Sequence, residues 1–130
     1  MVLPLRFPRL WLTLGWLFVA LALVVCLIPG DRIPEIPGMN DKSMHVVGYL
    51  ALTLWFAGIY PRSRYAVISL LLLAMGIIVE LLQGAMHWGR FAELRDVYAD
   101  AFGIALGIVL ALSFLGGWAR HVEAIIARVK

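Results

Sequence analysis

Charge is scarce in this chain. Of its 130 residues, 15% are Asp, Glu, Lys or Arg and 63% are apolar, whereas soluble domains carry nearer a quarter charged residues. With a mean hydropathy of +0.93, the composition excludes a water-soluble globular domain. Cysteine is scarcer still: Cys26 stands alone, which excludes an internal disulfide, and its apolar surroundings read as those of a buried, inert thiol. There is no HExxH pair and no cysteine cluster, so no metal or other cofactor is expected, although Asp41, His45, Glu80, His87, Asp96 and Asp100 carry suitable ligand atoms. Low-complexity tracts and internal repeats are absent. A formal net charge of +3 is too small to argue for nucleic-acid binding. The length has room for three or four spans of about 20 residues and leaves none for a separate extramembrane domain, so a single membrane domain over residues 1–130 is expected.

The apolar runs divide the chain accordingly. The first covers residues 10–28, preceded by Arg6 and Arg9 and closed by Pro29-Gly30. It is longer than the core of a cleaved signal peptide and no small-x-small site follows, so it reads as a retained span. A turn-rich loop holds Asp31, Pro34, Pro37 and Gly38, after which Asn40 or Asp41 can cap a second span over 42–60. Pro61-Arg62-Ser63-Arg64 makes a basic turn before a third span at 65–86. A short loop leads to a fourth at 96–118. The spacing predicts an all-α four-helix transmembrane bundle. Residues 118–130 form a short amphipathic tail, with Trp118, Val122, Ile125 and Val129 on one side and Arg120, Glu123 and Lys130 on the other. Such a tail suits an anionic membrane surface or a frayed continuation of the fourth span.

The loop cations give the orientation. Arg6, Arg9, Arg62, Arg64, Arg120, Arg128 and Lys130 fall on one side, and Arg32, Lys42, Arg90 and Arg95 on the other. The bias places both termini in the cytoplasm and the two polar loops outside.

Polar residues collect at the outward ends. Asp41 and His45 share one helix face, with Gly48 continuing it. Gly76, Glu80, Gln83 and His87 share another, and Asp96, Asp100, Gly103 and Gly107 a third. Ionisable groups inside spans are costly and read first as functional. Glu80 lies six residues inside Met86, roughly 9 Å at the helical rise, so it can meet His45 and Asp100 in the outer third of the bilayer. Glu80 is expected either to pair with Arg90 or to line a polar pocket. Asp96 can cap its own helix, and Arg90 and Arg95 at the rim can clamp an anion or snorkel to headgroups. Gly103-x-x-x-Gly107 reads as close helix packing.

Asp41-Lys42-x-x-His45 opening a span, Glu80-x-x-Gln83 late in the next, Gly89-Arg90, then Asp96-x-x-x-Asp100-x-x-Gly103-x-x-x-Gly107 together resemble the VanZ-like family of small bacterial membrane proteins. The resemblance runs from Asp41 to about Gly107. The family position that is typically Asn is Asp100 here, an acid in place of an amide. The resemblance implies a bacterial inner-membrane protein with an outward polar site; the family's named member is associated with low-level teicoplanin resistance.

The expected site therefore comprises His45, Glu80, Asp41 and Asp100 as candidates for proton work, with Lys42, Gln83, Arg90 and Asp96 as binding residues. The expected partners are the lipid bilayer and either an anionic or lipid-linked cell-wall ligand or another envelope protein. In the second case the polar residues form a structural network.

Overall fold

A computed structural model describes residues 1–29, 32, 37–89 and 91–129. Gly30, Asp31, Pro34, Arg90 and Lys130 lie outside the described residues, as does the side chain of Val129. The described chain is helical: α1 (Pro8–Leu27), α2 (Asp41–Ile59), α3 (Tyr65–Met86), α4 (Leu94–Leu110) and α5 (Trp118–Val129), with a 3-10 turn at Arg62–Arg64 before α3 and a π-helical turn at Ala111–Leu115 after α4.

Local chemistry sets these boundaries. Pro8 sits in the first turn of α1, where its missing N–H costs nothing. Of the two residues expected to cap α2, Asn40 does so. It forms a capping box: its side chain accepts the Ser43 N–H at 2.8 Å, and Ser43 Oγ accepts the Asn40 N–H at 2.8 Å. Pro61 ends α2, and α3 stops where His87 turns left-handed, at φ 53°.

Three helices are long and apolar enough to cross a membrane, by length and composition: Pro8–Leu27, Arg62–Met86 and Leu94–Leu115. Their outward faces carry Trp16, Leu17 and Leu21 on α1, Leu70, Leu71 and Ile78 on α3, and Phe102, Val109 and Phe114 on α4, all exposed. Such a surface suits hydrocarbon rather than water. The fourth expected span, α2, is not among them, because Asp41, Lys42 and His45 fill its first turns. It lies at the centre instead, packed against α1, α3, α4 and α5. Leu52, Thr53, Ala57 and Ile59 of α2 are wholly buried.

The closest packing joins α2 to α4 through glycine. A methyl group at Gly103 would strike the Val46 carbonyl, and one at Gly107 would come within 2.7 Å of Thr53 Cβ, which is the close approach that small-xxx-small spacing permits.

One end of the bundle is closed by aromatic rings and capped carbonyls. Trp11, Trp55 and Trp118 form a mutual cluster with centroids 5.2–6.0 Å apart. The last carbonyls of α2 lack intrahelical partners. Two of them are met, by Leu3 N–H on Ile59 and by Gly117 N–H and Tyr65 Oη on Ala57, at 2.9–3.1 Å, and one turn earlier Trp118 Nε1 donates to the Leu54 carbonyl at 2.8 Å. The first residues of the chain and the start of α5 lie at this end.

The end of the fourth expected span is corrected. Its helix does not run on to residue 118. The ladder widens into the π turn, where Arg62 Nη2 donates to the Leu112 carbonyl at 2.9 Å, and Gly117 breaks it at φ 70°. The tail is the short C-terminal helix expected, α5, separate from α4; only Glu123, expected on its outer side, is corrected, since it faces α1. Its carboxylate accepts the N–H groups of Arg6 and Phe7 at 2.6 and 2.9 Å and Trp11 Nε1–H at 2.8 Å.

Candidate functional site

The opposite end of the bundle is polar, and three helices build it. The first turns of α2 supply Asp41, Lys42 and His45, and Tyr49 follows one turn deeper on the same face. The last turns of α3 supply Glu80 and Gln83. The first turns of α4 supply Asp96 and Asp100, with Glu93 just before them. His45, Tyr49, Glu80, Gln83, Asp96 and Asp100 are all at most 6% exposed. The three separate sequence stripes therefore do converge, at the level the helix periodicity predicts.

The centre is a pair. His45 Nδ1 lies 2.8 Å from Asp100 Oδ1. With Asp100 ionised the ring proton sits on Nδ1, leaving the Nε2 lone pair available. A carboxylate holding an imidazole in this way orients it for proton transfer or for metal ligation. The second oxygen, Asp100 Oδ2, has no hydrogen-bond partner among the described residues, and neither do Tyr49 Oη and Glu80 Oε1. Gly76 of α3 makes the room: a methyl group there would collide with Asp100 Oδ2 and stand 3.2 Å from Tyr49 Oη.

Around the pair lies an ionic rim. Lys42 Nζ bridges Glu93 Oε2 at 2.8 Å and Asp96 Oδ1 at 3.0 Å. The Lys42 ammonium holds the exposed Glu93 carboxyl below its ordinary range. Glu80 Oε2 accepts the Glu93 backbone N–H at 2.9 Å, tying α3 to the start of α4.

Several expected roles change. Lys42 is not a free anion clamp, because two carboxylates already hold it. Asp96 does not cap α4: the N-cap position is Glu93 without a side-chain cap, and Asp96 turns to Lys42. Glu80 engages the Glu93 backbone, while its expected partner Arg90 is outside the described residues. Gln83 donates to the Cys26 carbonyl at 2.7 Å. It thereby closes the end of α1. His87 leaves the α3 stripe, since its left-handed backbone turns it outward, where Nδ1 contacts the Ala85 carbonyl.

Two site residues were not foreseen. Tyr49 continues the four-residue spacing of Asp41 and His45, which could have flagged it. Glu93 sits in a loop, where periodicity carries no signal.

Beside the polar end runs an apolar groove of about 200 Å³ between α1, α2 and α3. Phe18, Leu21, Leu52, Met75 and Val79 are among its walls, and Asp41 and His45 border it. Gly48 opens one side, with nothing within 4 Å of where a Cβ would stand. Finally, Asp41, His45 and Asp96 each offer a ligand atom within 4.8 Å of the others. That grouping departs from the expectation of no metal, since helix packing assembles it without a local motif.

Compared with known protein families, curated proteins and solved structures, the chain finds no match.

Proposed function

We propose that this chain is a four-span envelope membrane protein that holds a lipid or lipid-linked ligand. The hydrocarbon chain would lie in the groove and the polar head at Asp41 and His45. The observation that carries the reading is the groove itself, apolar along its walls and bordered by an oriented imidazole. A lipid tail and a headgroup need that combination.

Helix direction supports the reading of four spans. Helices α1 and α3 both start at the aromatic end: Leu3 meets Ile59 there, and Tyr65 meets Ala57. Both finish at the polar end, where Gln83 meets Cys26. The chain must therefore return between them, and α2, at 19 residues and about 1.5 Å per residue, is the return. The loop cations then put the termini in the cytoplasm and the polar end outside. Location in a bacterial inner membrane rests on the VanZ-like resemblance, which also suggests a cell-wall intermediate as ligand.

The second reading is a non-catalytic partner for another envelope protein. It is favoured by the internal engagement of Lys42 and Gln83, as in a structural network. Gly48→Leu separates the two, because Gly48 lines the groove and a Cβ there meets nothing within 4 Å. Native mass spectrometry of wild type should show a retained lipid species that Gly48→Leu, still folded, loses. Identical lipid profiles would reject the lipid-binding reading and turn attention to crosslinked protein partners.

A further inference from the structure

We propose that Asp41, His45 and Asp96 bind a divalent transition-metal ion at the polar end of the groove. Their ligand atoms lie within 4.8 Å of one another. Bonds of about 2.0–2.2 Å to one ion bring such atoms roughly 3–4 Å apart, so small rotamer changes close the site. The residues come from two helices locked together at Gly103 and Gly107, which fixes their spacing.

The arrangement behind His45 is what a ligating imidazole requires. Asp100 Oδ1 accepts from Nδ1 at 2.8 Å. The carboxylate sets the tautomer, raises the basicity of the ring and leaves Nε2 to bind the ion.

Charge points the same way by an independent observation. Glu80, Asp96 and Asp100 are 4%, 3% and 0% exposed. Glu80 interacts electrostatically with His45, Asp96 and Asp100. One oxygen of Glu80 and one of Asp100 have no hydrogen-bond partner among the described residues. Among the described residues, the cation paired at this centre is Lys42, and it is divided between Glu93 and Asp96. Buried carboxylates short of counter-charge are costly, and a divalent ion held beside them at Asp41, His45 and Asp96 offsets part of that cost.

One imidazole and two carboxylates suit zinc or manganese. Three protein ligands leave coordination positions open, and Asp41 and His45 border the groove, so the ion would present those positions to an oxygen anion there. The metal site does not depend on what the groove holds.

The test is direct metal binding by tag-free protein in detergent, stripped with chelator and titrated with Zn²⁺ or Mn²⁺ alone, with bound metal quantified after gel filtration. One ion per chain is expected, with affinity at least about 100-fold weaker in His45→Gln and Asp96→Asn, and about 10- to 100-fold weaker in Asp100→Asn. His87→Gln, at the exposed histidine, should bind as wild type does. Asp41 lies at the exposed start of α2, so Asp41→Asn should fold even where the buried variants do not, and should also weaken binding. Absence of stoichiometric metal in wild type, or wild-type affinity in folded His45→Gln or Asp41→Asn, would overturn the site.

Discussion

Asp100 is the residue on which the polar end turns. It holds His45 through one oxygen and presses the other against Gly76. Gly76→Ala would drive a methyl group into that oxygen, displacing the carboxylate and with it the imidazole. Thermal unfolding in detergent should show a loss of about 1–3 kcal/mol, the usual cost of overpacking a tight interior. Gly48→Ala, which meets nothing within 4 Å, should leave stability close to wild type. Equal effects from the two substitutions would mean that Asp100 is free to swing away. Pairing of this kind was half legible in the sequence. Helix periodicity placed Asp41 with His45 and Asp96 with Asp100 on their own faces. Which face met which depended on Gly76, Gly103 and Gly107, whose contacts with Asp100, Val46 and Thr53 reach across the fold. Glu93 and the fate of Lys42 lay beyond any periodic signal, because a loop residue supplies the counter-charge.

At the scale of elements, the span boundaries were legible wherever proline stops a helix, at Pro29 and Pro61, or a capping box starts one, at Asn40. The end of α4 was not, because a π turn continues the apolar pattern while changing the geometry. Nor was the docking of α5. Its amphipathic spacing shows in the sequence, but the groups that claim Glu123 come from 112–117 positions earlier. This clasp has a testable pH dependence. Desolvation raises the affinity of Glu123 for a proton, but the hydrogen bonds from Arg6, Trp11 and Phe7 outweigh it and hold the carboxyl below its ordinary 4.5. A depressed folded-state value means the clasp contributes fully above 4.5 and fades as pH falls through the lowered value. Near-UV circular dichroism of the Trp11–Trp55–Trp118 cluster should therefore change on acidification below 4.5. Glu123→Gln should show a weakened signal at neutral pH and a flatter acid response, with a stability loss of about 1 kcal/mol. Because Glu93 is also held low, by Lys42, the difference between variant and wild type is the informative quantity. Superimposable profiles would show that Glu123 does not hold α5 in solution.

For the whole molecule, the division into an aromatic end and a polar end makes orientation decisive. A lipid headgroup or an ion can reach Asp41 and His45 only from the side that the polar end faces. The chain offers a clean way to ask, because Cys26 is its only cysteine and the bond from Gln83 is to its backbone carbonyl, which Cys26→Ala preserves. In that background, Ser63→Cys places a thiol in the exposed turn at the aromatic end, and Phe91→Cys places one at the polar end, where Phe91 is 78% exposed. Helix α3 separates the two positions by 22 residues, about 33 Å at the helical rise, enough to span a hydrocarbon core of about 30 Å. A membrane-impermeant maleimide applied to intact cells should modify Phe91→Cys and should reach Ser63→Cys only after permeabilisation. The reverse pattern would keep the four spans and move the site to the cytoplasmic face, where its ligand would have to come from inside the cell. Modification of both from one side would mean that α3 does not cross, and the return assigned to α2 would lose its basis.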